Sequence, residues 1–292
     1  MAAPLLVTKE SGLQDDLSGV ERKVAFDVLK DGKELEIVQS LAKWKRFALD
    51  KYGFATHKGL YTDMTAIRRD DKMDETHSIY VEQWVWEKVI TSNDRSLDYL
   101  KSTVRKIVKA VKETSELVKT KGFDGVEICE DVYFITSQEL LDMYPTLSAK
   151  EREYNITKEK GAVFIMQIGD TLSNGEKHDG RAPDYDDWKL NGDILVYYPV
   201  LDIALELSSM GIRVDEDSIQ EQLKKAGCEE RANLPFQKAI INKELPYTIG
   251  GGIGQSRICM FFLRKAHIGE VQCSIWPEEI RKEAKENQIT LL

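Results

Sequence analysis

The stretch Gly250-Gly-Gly-Ile-Gly-Gln-Ser-Arg257 opens an apolar run, Ile258 to Leu263, and reads as glycines and an arginine gathered at a helix N-terminus. Backbone without side chains can approach a ligand closely there. The segment is no Walker loop, because no Gly-Lys-Ser/Thr follows, and its glycine spacing is wrong for the dinucleotide fingerprint. Two common parallel-sheet nucleotide folds are therefore set aside. A tight turn carrying a surface arginine is the plainer alternative for the same residues.

Working outward, the neighbouring segments alternate strand and helix signals without the regular crossover of a parallel sheet. Ala162 to Gly169 reads as a buried strand, followed by a polar, turn-rich stretch to Asn191. A second strand spans Asp193 to Tyr198 and precedes the segment Glu206 to Val214. A helix around Ile219, Leu223 and Ala226 stops at Gly227. Towards the N-terminus, β-like runs cover Pro4 to Thr8, Lys23 to Leu29, Glu34 to Gln39, Leu60 to Ile67 and His77 to Trp86, and Asp31-Gly32 suggests a hairpin. From Leu97 the period changes: Leu97, Leu100, Val104, Ile107, Val108 and Val111 share one helical face. Ser148 and Glu151 have capping-box spacing for a helix that ends before Gly161. The pattern predicts an α+β fold, an antiparallel sheet flanked by helices.

The 292 residues carry no linker, repeat or low-complexity block, so one continuous domain over 1–292 is expected. With 42% hydrophobic and 31% charged residues the chain has material for a substantial core, which extended disorder lacks. Its 41 basic and 50 acidic residues give a formal charge of -9, so a broad nucleic-acid footprint is absent, although a small basic cleft for one nucleotide is compatible with it. No signal peptide or membrane span is legible, and Cys129, Cys228, Cys259 and Cys273 form no CxxC pair; a cytoplasmic protein with reduced thiols is expected. The sequon at Asn155 then has no consequence. Four scattered histidines and the lack of a Gly-x-Ser-x-Gly elbow argue against zinc and serine-hydrolase chemistry.

Several polar residues stand out against this background. Arg68 and Arg69 end a strand-like run, where a guanidinium can fork onto a phosphate or carboxylate, although a solvated arginine is the commoner case. Asp184, Asp186 and Asp187 form an acidic cluster with Asn191-Gly-Asp193, and Glu206 lies upstream of Arg213. Carboxylates beside a nucleotide can hold Mg2+, whereas a solvated acidic turn explains Asp187 equally well. Asp193 and Glu206 sit among apolar residues and fit that explanation less readily.

Together these segments resemble the ammonia-dependent asparagine synthetases, which are built on the catalytic fold of class II aminoacyl-tRNA synthetases. The resemblance rests on Gln14-Asp-Asp-Leu-Ser-Gly19, Ser40-Leu-Ala-Lys-Trp-Lys-Arg46, Gly59-Leu-Tyr-Thr-Asp63, Arg181-Ala-Pro-Asp-Tyr-Asp-Asp-Trp188, Asn191-Gly-Asp193, Glu206-Leu-Ser-Ser-Met-Gly-Ile-Arg213 and the glycine segment ending at Arg257. It implies that Pro4 ends the first class II motif and that Arg68 and Arg257 are the arginines of the second and third. By the same resemblance Arg68 holds the α-phosphate and the activated carboxyl, and Arg257 packs on adenine and reaches the outer phosphates beside Gly252 and Gly254. Asp193 and Glu206 would ligate Mg2+. Lys45 and Arg213 would grip the amino acid, with Ser40, Gln83 and Ser209 lining its pocket. Asp15 would receive the ammonium, with Asp186 a second candidate.

The implied reaction joins L-aspartate and ammonia at the expense of ATP, through a β-aspartyl adenylate, in a homodimer without tRNA. Two departures accompany the resemblance. The family carries a helix before the Pro4 strand, and this chain begins at the strand. The family pattern Gln-Trp-Asp-Trp appears as Gln83-Trp84-Val85-Trp86. Strand alternation turns Val85 to the same face as Gln83, so a substrate ammonium loses a counter-charge. An impaired or altered enzyme, or a non-catalytic paralogue that binds aspartate, asparagine or adenylate, follows from that valine.

Overall fold

A computed structural model describes residues 1–18, 20–128 and 131–292; Gly19, at the end of the first matching segment, and Cys129 lie outside the described residues. The N-terminal part folds as a small sheet of β1 (Leu6–Thr8), β2 (Ala25–Asp27) and β3 (Glu34–Ile37) in the order β1-β3-β2. β2 and β3 pair antiparallel, and their turn closes through Gly32 at φ +66°, where a glycine avoids the Cβ clash of left-handed backbone. Helix α1 (Ala42–Lys51) then leads into the main sheet.

That sheet has seven strands: β4 (Gly59–Ile67), β5 (Tyr80–Val89), β6 (Tyr133–Thr136), β7 (Ala162–Met166), β8 (Asp186–Tyr198), β9 (Ile203–Arg213) and β10 (Thr248–Gly254). Their order is β4-β5-β10-β9-β8-β7-β6. Each neighbouring pair is antiparallel except β6 and β7. A parallel pair needs a crossover connection, and α3 (Ser137–Met143) with α4 (Ala149–Lys160) supplies it. The expected capping box closes on α4: Ser148 Oγ accepts from the Glu151 amide, and Glu151 accepts from the Ser148 amide at 2.8 Å.

Helices cover both faces at this end of the sheet, and β7 is accordingly buried along its whole length. On one face α2 (Leu97–Thr120) lays Leu100, Val104 and Val108 against Phe164, Met166, Ile194, Met210 and Ile249. Each such side chain contributes roughly 1.5–3 kcal/mol on burial. On the other face Leu140 and Ile156 meet Val163, Ile165 and Leu195. Beyond the sheet, α5 (Ser218–Lys225) and α6 (Pro235–Ile241) share a cluster with Val214, and α7 (Gln255–Phe262) joins α8 (Glu278–Glu286) around Trp276. The α+β class of the sequence reading holds, with one parallel pair added to the antiparallel sheet.

Two local expectations are corrected. The glycine segment does end at a helix N-terminus, with Gly254 capping α7 and Arg257 in its first turn, but Gly250 to Gly254 are the interior strand β10 rather than a turn. The strand after the turn-rich stretch begins at Asp186 rather than Asp193, because Asp186 pairs with Arg213 on β9 and draws polar backbone into the sheet, with an irregularity before Asn191.

Candidate active site

The polar face of the sheet opposite α2 stays open where β5, β10, β9 and β8 lie side by side. Directly opposed residues in a sheet point the same way. Val85 faces Gly252, Gly252 faces Ser209, and Ser209 faces Asp193, so these four form one row across the floor of a cleft. The neighbouring positions on this face of β5 are Gln83 and Glu87. Side chains from this face of β5 lean over the glycines of β10. A Cβ on Gly250 would lie 1.9 Å from Glu87 Oε2, and one on Gly252 would lie 2.8 Å from Gln83 Oε1. Gly251 turns to the other face, where a Cβ would meet Met210.

Two adjoining hollows make up the cleft. The inner one is lined by Ser40, Lys45, Arg68, Gln83, Val85, Asp186, Glu206, Ser209, Arg213 and Gly252, together with Arg181 and Tyr185. The outer one contains Arg68, Gln83, Glu206, Gly252, Gly254 and Arg257. Arg68 and Arg257, more than 180 residues apart in sequence, thus share one hollow. Arg68 Nε donates to the Gln39 carbonyl at 3.2 Å, and burial lowers its pKa, with Asp71 opposing and Arg257 adding to the effect. Arg257 donates from Nε to the Thr76 carbonyl at 3.3 Å and from Nη1 to the Glu206 carbonyl at 3.1 Å.

Deeper in the cleft the charges are heavily paired. Arg213 donates to Glu87 from Nε at 2.9 Å and from Nη2 at 2.8 Å, and from Nη1 to Asp186. Lys45 Nζ donates to the carbonyls of Trp86 and Gly251, both at 2.9 Å, and lies 3.5 Å from Glu87. Burial works against the Glu87 carboxylate, but Arg213 and Lys45 outweigh it and hold its pKa below the usual range. Burial pushes the Lys45 ammonium down to about 8 despite Glu87, and raises the Asp186 carboxyl against the pull of Arg213. Arg181 bridges Ser209 Oγ and Asp193 Oδ1, the latter at 2.7 Å.

Asp193 and Glu206 stand on adjacent strands beside Arg257. Burial and then the like charge of Asp193 raise the Glu206 carboxyl, with Arg257 and Arg181 opposing. No cluster of three or more metal-binding side chains occurs among the described residues. Two carboxylates still suit Mg2+, which keeps waters and takes its remaining ligands from phosphates.

Of the residues singled out from sequence, Arg69, Asp184, Asp187 and Asp193 line neither hollow, and Asp15 is likewise set back from the cleft. It is fully buried, and its Oδ2 accepts from the Ala42 amide at 2.9 Å at the start of α1; Ser40, which also bonds it, separates it from the hollow. Asp193 lies at the floor through its pairing with Ser209. The sequence reading assigned no role to Glu87 or Arg181. Glu87 was within reach, since positions 83, 85 and 87 alternate onto one face, whereas Arg181 comes from an irregular stretch with no periodic signal.

A mostly antiparallel seven-stranded sheet in this order, flanked by helices, is the class II aminoacyl-tRNA synthetase catalytic fold. Solved structures agree: asparaginyl-tRNA synthetase from Pyrococcus horikoshii complexed with asparaginyl-adenylate superposes with TM-score 0.65 at 15% identity, covering 92% of this chain and 61% of that one. The Entamoeba histolytica asparaginyl-tRNA synthetase gives TM-score 0.60 at 14% identity, over 91% of this chain and 59% of that one. The family described as aspartate-ammonia ligase matches residues 1–288, and the chain belongs to that family. Relatives named aspartate–ammonia ligase include those of Ruminiclostridium cellulolyticum, 61% identical over all of this chain and 88% of its own length, and Clostridium tetani, 62% identical over all of this chain and 86% of its own. No helix of the described residues is long and apolar enough to cross a membrane.

Proposed function

We propose that the protein amidates L-aspartate with ammonia in two steps, forming a β-aspartyl adenylate and pyrophosphate from ATP and then asparagine and AMP. The observation that carries this reading is the common hollow of Arg68 and Arg257 over a floor of Gln83, Gly252 and Glu206. Two anions must meet for adenylation, and fixed guanidinium groups neutralise charge that grows on the phosphates. Arg68 holds the α-phosphate and the activated carboxyl, and Arg257 packs on the adenine and reaches the outer phosphates. Mg2+, held by Asp193 and Glu206, supplies further charge neutralisation when bound. Lys45 and Arg213 orient the α-carboxylate, and Ser40, Gln83 and Ser209 line the same pocket.

Ammonia presents the opposite requirement, because it arrives largely as ammonium and must lose a proton before its lone pair can attack. Asp15 takes that role, with Asp186 a second carboxylate facing the cleft. The enzyme works in the cytoplasm as a homodimer and uses no tRNA.

Val85 limits this activity. It is buried in a cluster with Val7, Val38, Leu41, Met64 and Ala66 and lines the amino-acid hollow, where it offers no partner to an ammonium group. Losing one charged partner costs about 2 to 4 kcal/mol, roughly 30- to 1000-fold in affinity or rate. That observation also favours a second reading, a paralogue that binds aspartate, asparagine or adenylate without turnover. AMP release from ATP, aspartate and ammonium separates the two: measurable AMP formation is expected, and its complete absence with retained adenylate binding supports the paralogue.

A further inference from the structure

Behind the cleft wall, Asp15 belongs to a charged group whose other members the reaction scheme does not use. Lys43, on the buried side of α1, donates from Nζ to Asp184 Oδ2 at 2.7 Å and to the Gln14 carbonyl at 2.9 Å, and sits 4.0 Å from Asp15 Oδ1. Gln237 of α6 donates to the same Asp184 oxygen at 2.7 Å. Lys43, Asp15, Asp184 and Gln237 are all buried from solvent. Three acceptor atoms, Asp15 Oδ1, Asp184 Oδ1 and Gln237 Oε1, are buried without a hydrogen-bond partner. With both acids ionised, two carboxylates share one ammonium, and the group carries one uncompensated negative charge in the interior. Such a charge is costly, and uptake of one proton removes it.

We infer that Asp184 and Lys43 are positioning residues for the amination step, together making Asp15 the carboxylate that takes a proton from the incoming ammonium. This rests on the function proposed above. With Asp184 ionised, protonating Asp15 brings the group to neutrality; with Asp184 replaced by a neutral side chain, Asp15 and Lys43 already cancel and Asp15 has little reason to accept a proton. The remaining cations near Asp15 do not change this balance, since Arg213 and Lys45 are matched by the two carboxylates Glu87 and Asp186, and the adjacent Asp16 is paired with Lys23 and Arg231. Burial raises the Asp15 carboxyl; Lys43 and the Ser40 hydrogen bond oppose it, Asp184 adds to it, and the net direction is upward, as a base requires.

In the step itself an N–H bond of ammonium breaks and its proton passes to Asp15 by way of the Ser40 hydroxyl. The freed lone pair forms the C–N bond at the β-acyl carbon, and the acyl C–O bond breaks with its electron pair left on the AMP phosphate. That phosphate takes the surplus proton of the new amide nitrogen.

The test compares ammonium with hydroxylamine, a weaker base that is largely unprotonated at neutral pH and needs no base to release its lone pair. Asp184→Asn is expected to lower ammonia-dependent asparagine formation at least tenfold at pH 7, while aspartate-dependent ATP–pyrophosphate exchange and aspartyl hydroxamate formation stay within twofold. Equal loss with both amines, or no loss with either, overturns the inference. A measurement without any variant guards against misfolding of Asp184→Asn: the wild-type ammonia rate should fall at acid pH with a limb that the hydroxylamine rate lacks, and coincident limbs overturn the inference. A wild-type protein that exchanges no pyrophosphate and makes no hydroxamate refutes the proposed function itself, and this inference with it.

Discussion

Arg213 reaches across Gly250 to Glu87, closing two hydrogen bonds of 2.9 and 2.8 Å with the opposite strand but one. The pair fixes the inner end of the cleft, and the Lys45 ammonium sits against the same carboxylate. Removing one member of a buried pair is costly because the other is left uncompensated. Glu87→Gln should lower the free energy of unfolding in urea by about 3 kcal/mol and raise KM for aspartate more than KM for ATP. An unchanged denaturation midpoint would contradict the assigned weight of this pair.

The span over Gly250 has no room for a methyl group, given the 1.9 Å approach of a Cβ to Glu87 Oε2. Gly250→Ala should therefore destabilise the protein by about 1–3 kcal/mol by calorimetry. Gly254→Ala meets Arg257 only at an ordinary 3.5 Å and should leave the melting temperature nearly unchanged.

On the proposed reading, Val85→Asp would supply a counter-charge at the cleft floor while placing a carboxylate against Met64 and Leu41. Opposite effects on two readouts are expected: faster AMP formation from aspartate and ammonium, and a lower melting temperature. A rate that stays level or falls would show that residue 85 does not face the substrate ammonium.

Arg257→Ala should weaken ATP binding at least tenfold in isothermal titration, since its guanidinium is a principal fixed charge of the outer hollow. Its contacts with the Thr76 and Glu206 carbonyls are long, and global stability should change little. Unaltered nucleotide affinity would remove the third-motif assignment.

Burial lowers Lys45 from 10.5 to about 8, so the folded protein releases this proton before the unfolded chain does. Between about pH 8 and 10.5 the unfolded state binds more protons, and stability from this group rises with pH across that window. On the proposed role of Lys45, function runs the other way, because aspartate would lose a cationic partner as Lys45 deprotonates. KM for aspartate is expected to climb above about pH 8 in the wild type and not in Lys45→Arg, which stays charged.

Much of this organisation was legible before any coordinates. Strand alternation put Gln83 and Val85 on one face, the capping residues bounded α4, and the helical period of Leu100, Val104 and Val108 marked the face that packs on the sheet. The glycine segment is legible as a place of close approach at the start of a helix, but not as a strand. Glycine runs favour turns locally, and only the side chains of Glu87 and Gln83 leaning over Gly250 and Gly252 show why a central strand needs them.

What the chain determined by itself is local: the period of each element, its caps, and the set of charged residues that match a family pattern. What the fold decided is which charges meet. Lys43 and Asp184 are 141 positions apart, Arg213 and Glu87 are 126 apart, and their pairing depends on strand order and on the depth at which water is excluded. Coulombic interaction at a few ångströms in a dry interior far exceeds its value in solvent, and separation along the sequence carries no measure of either distance or burial.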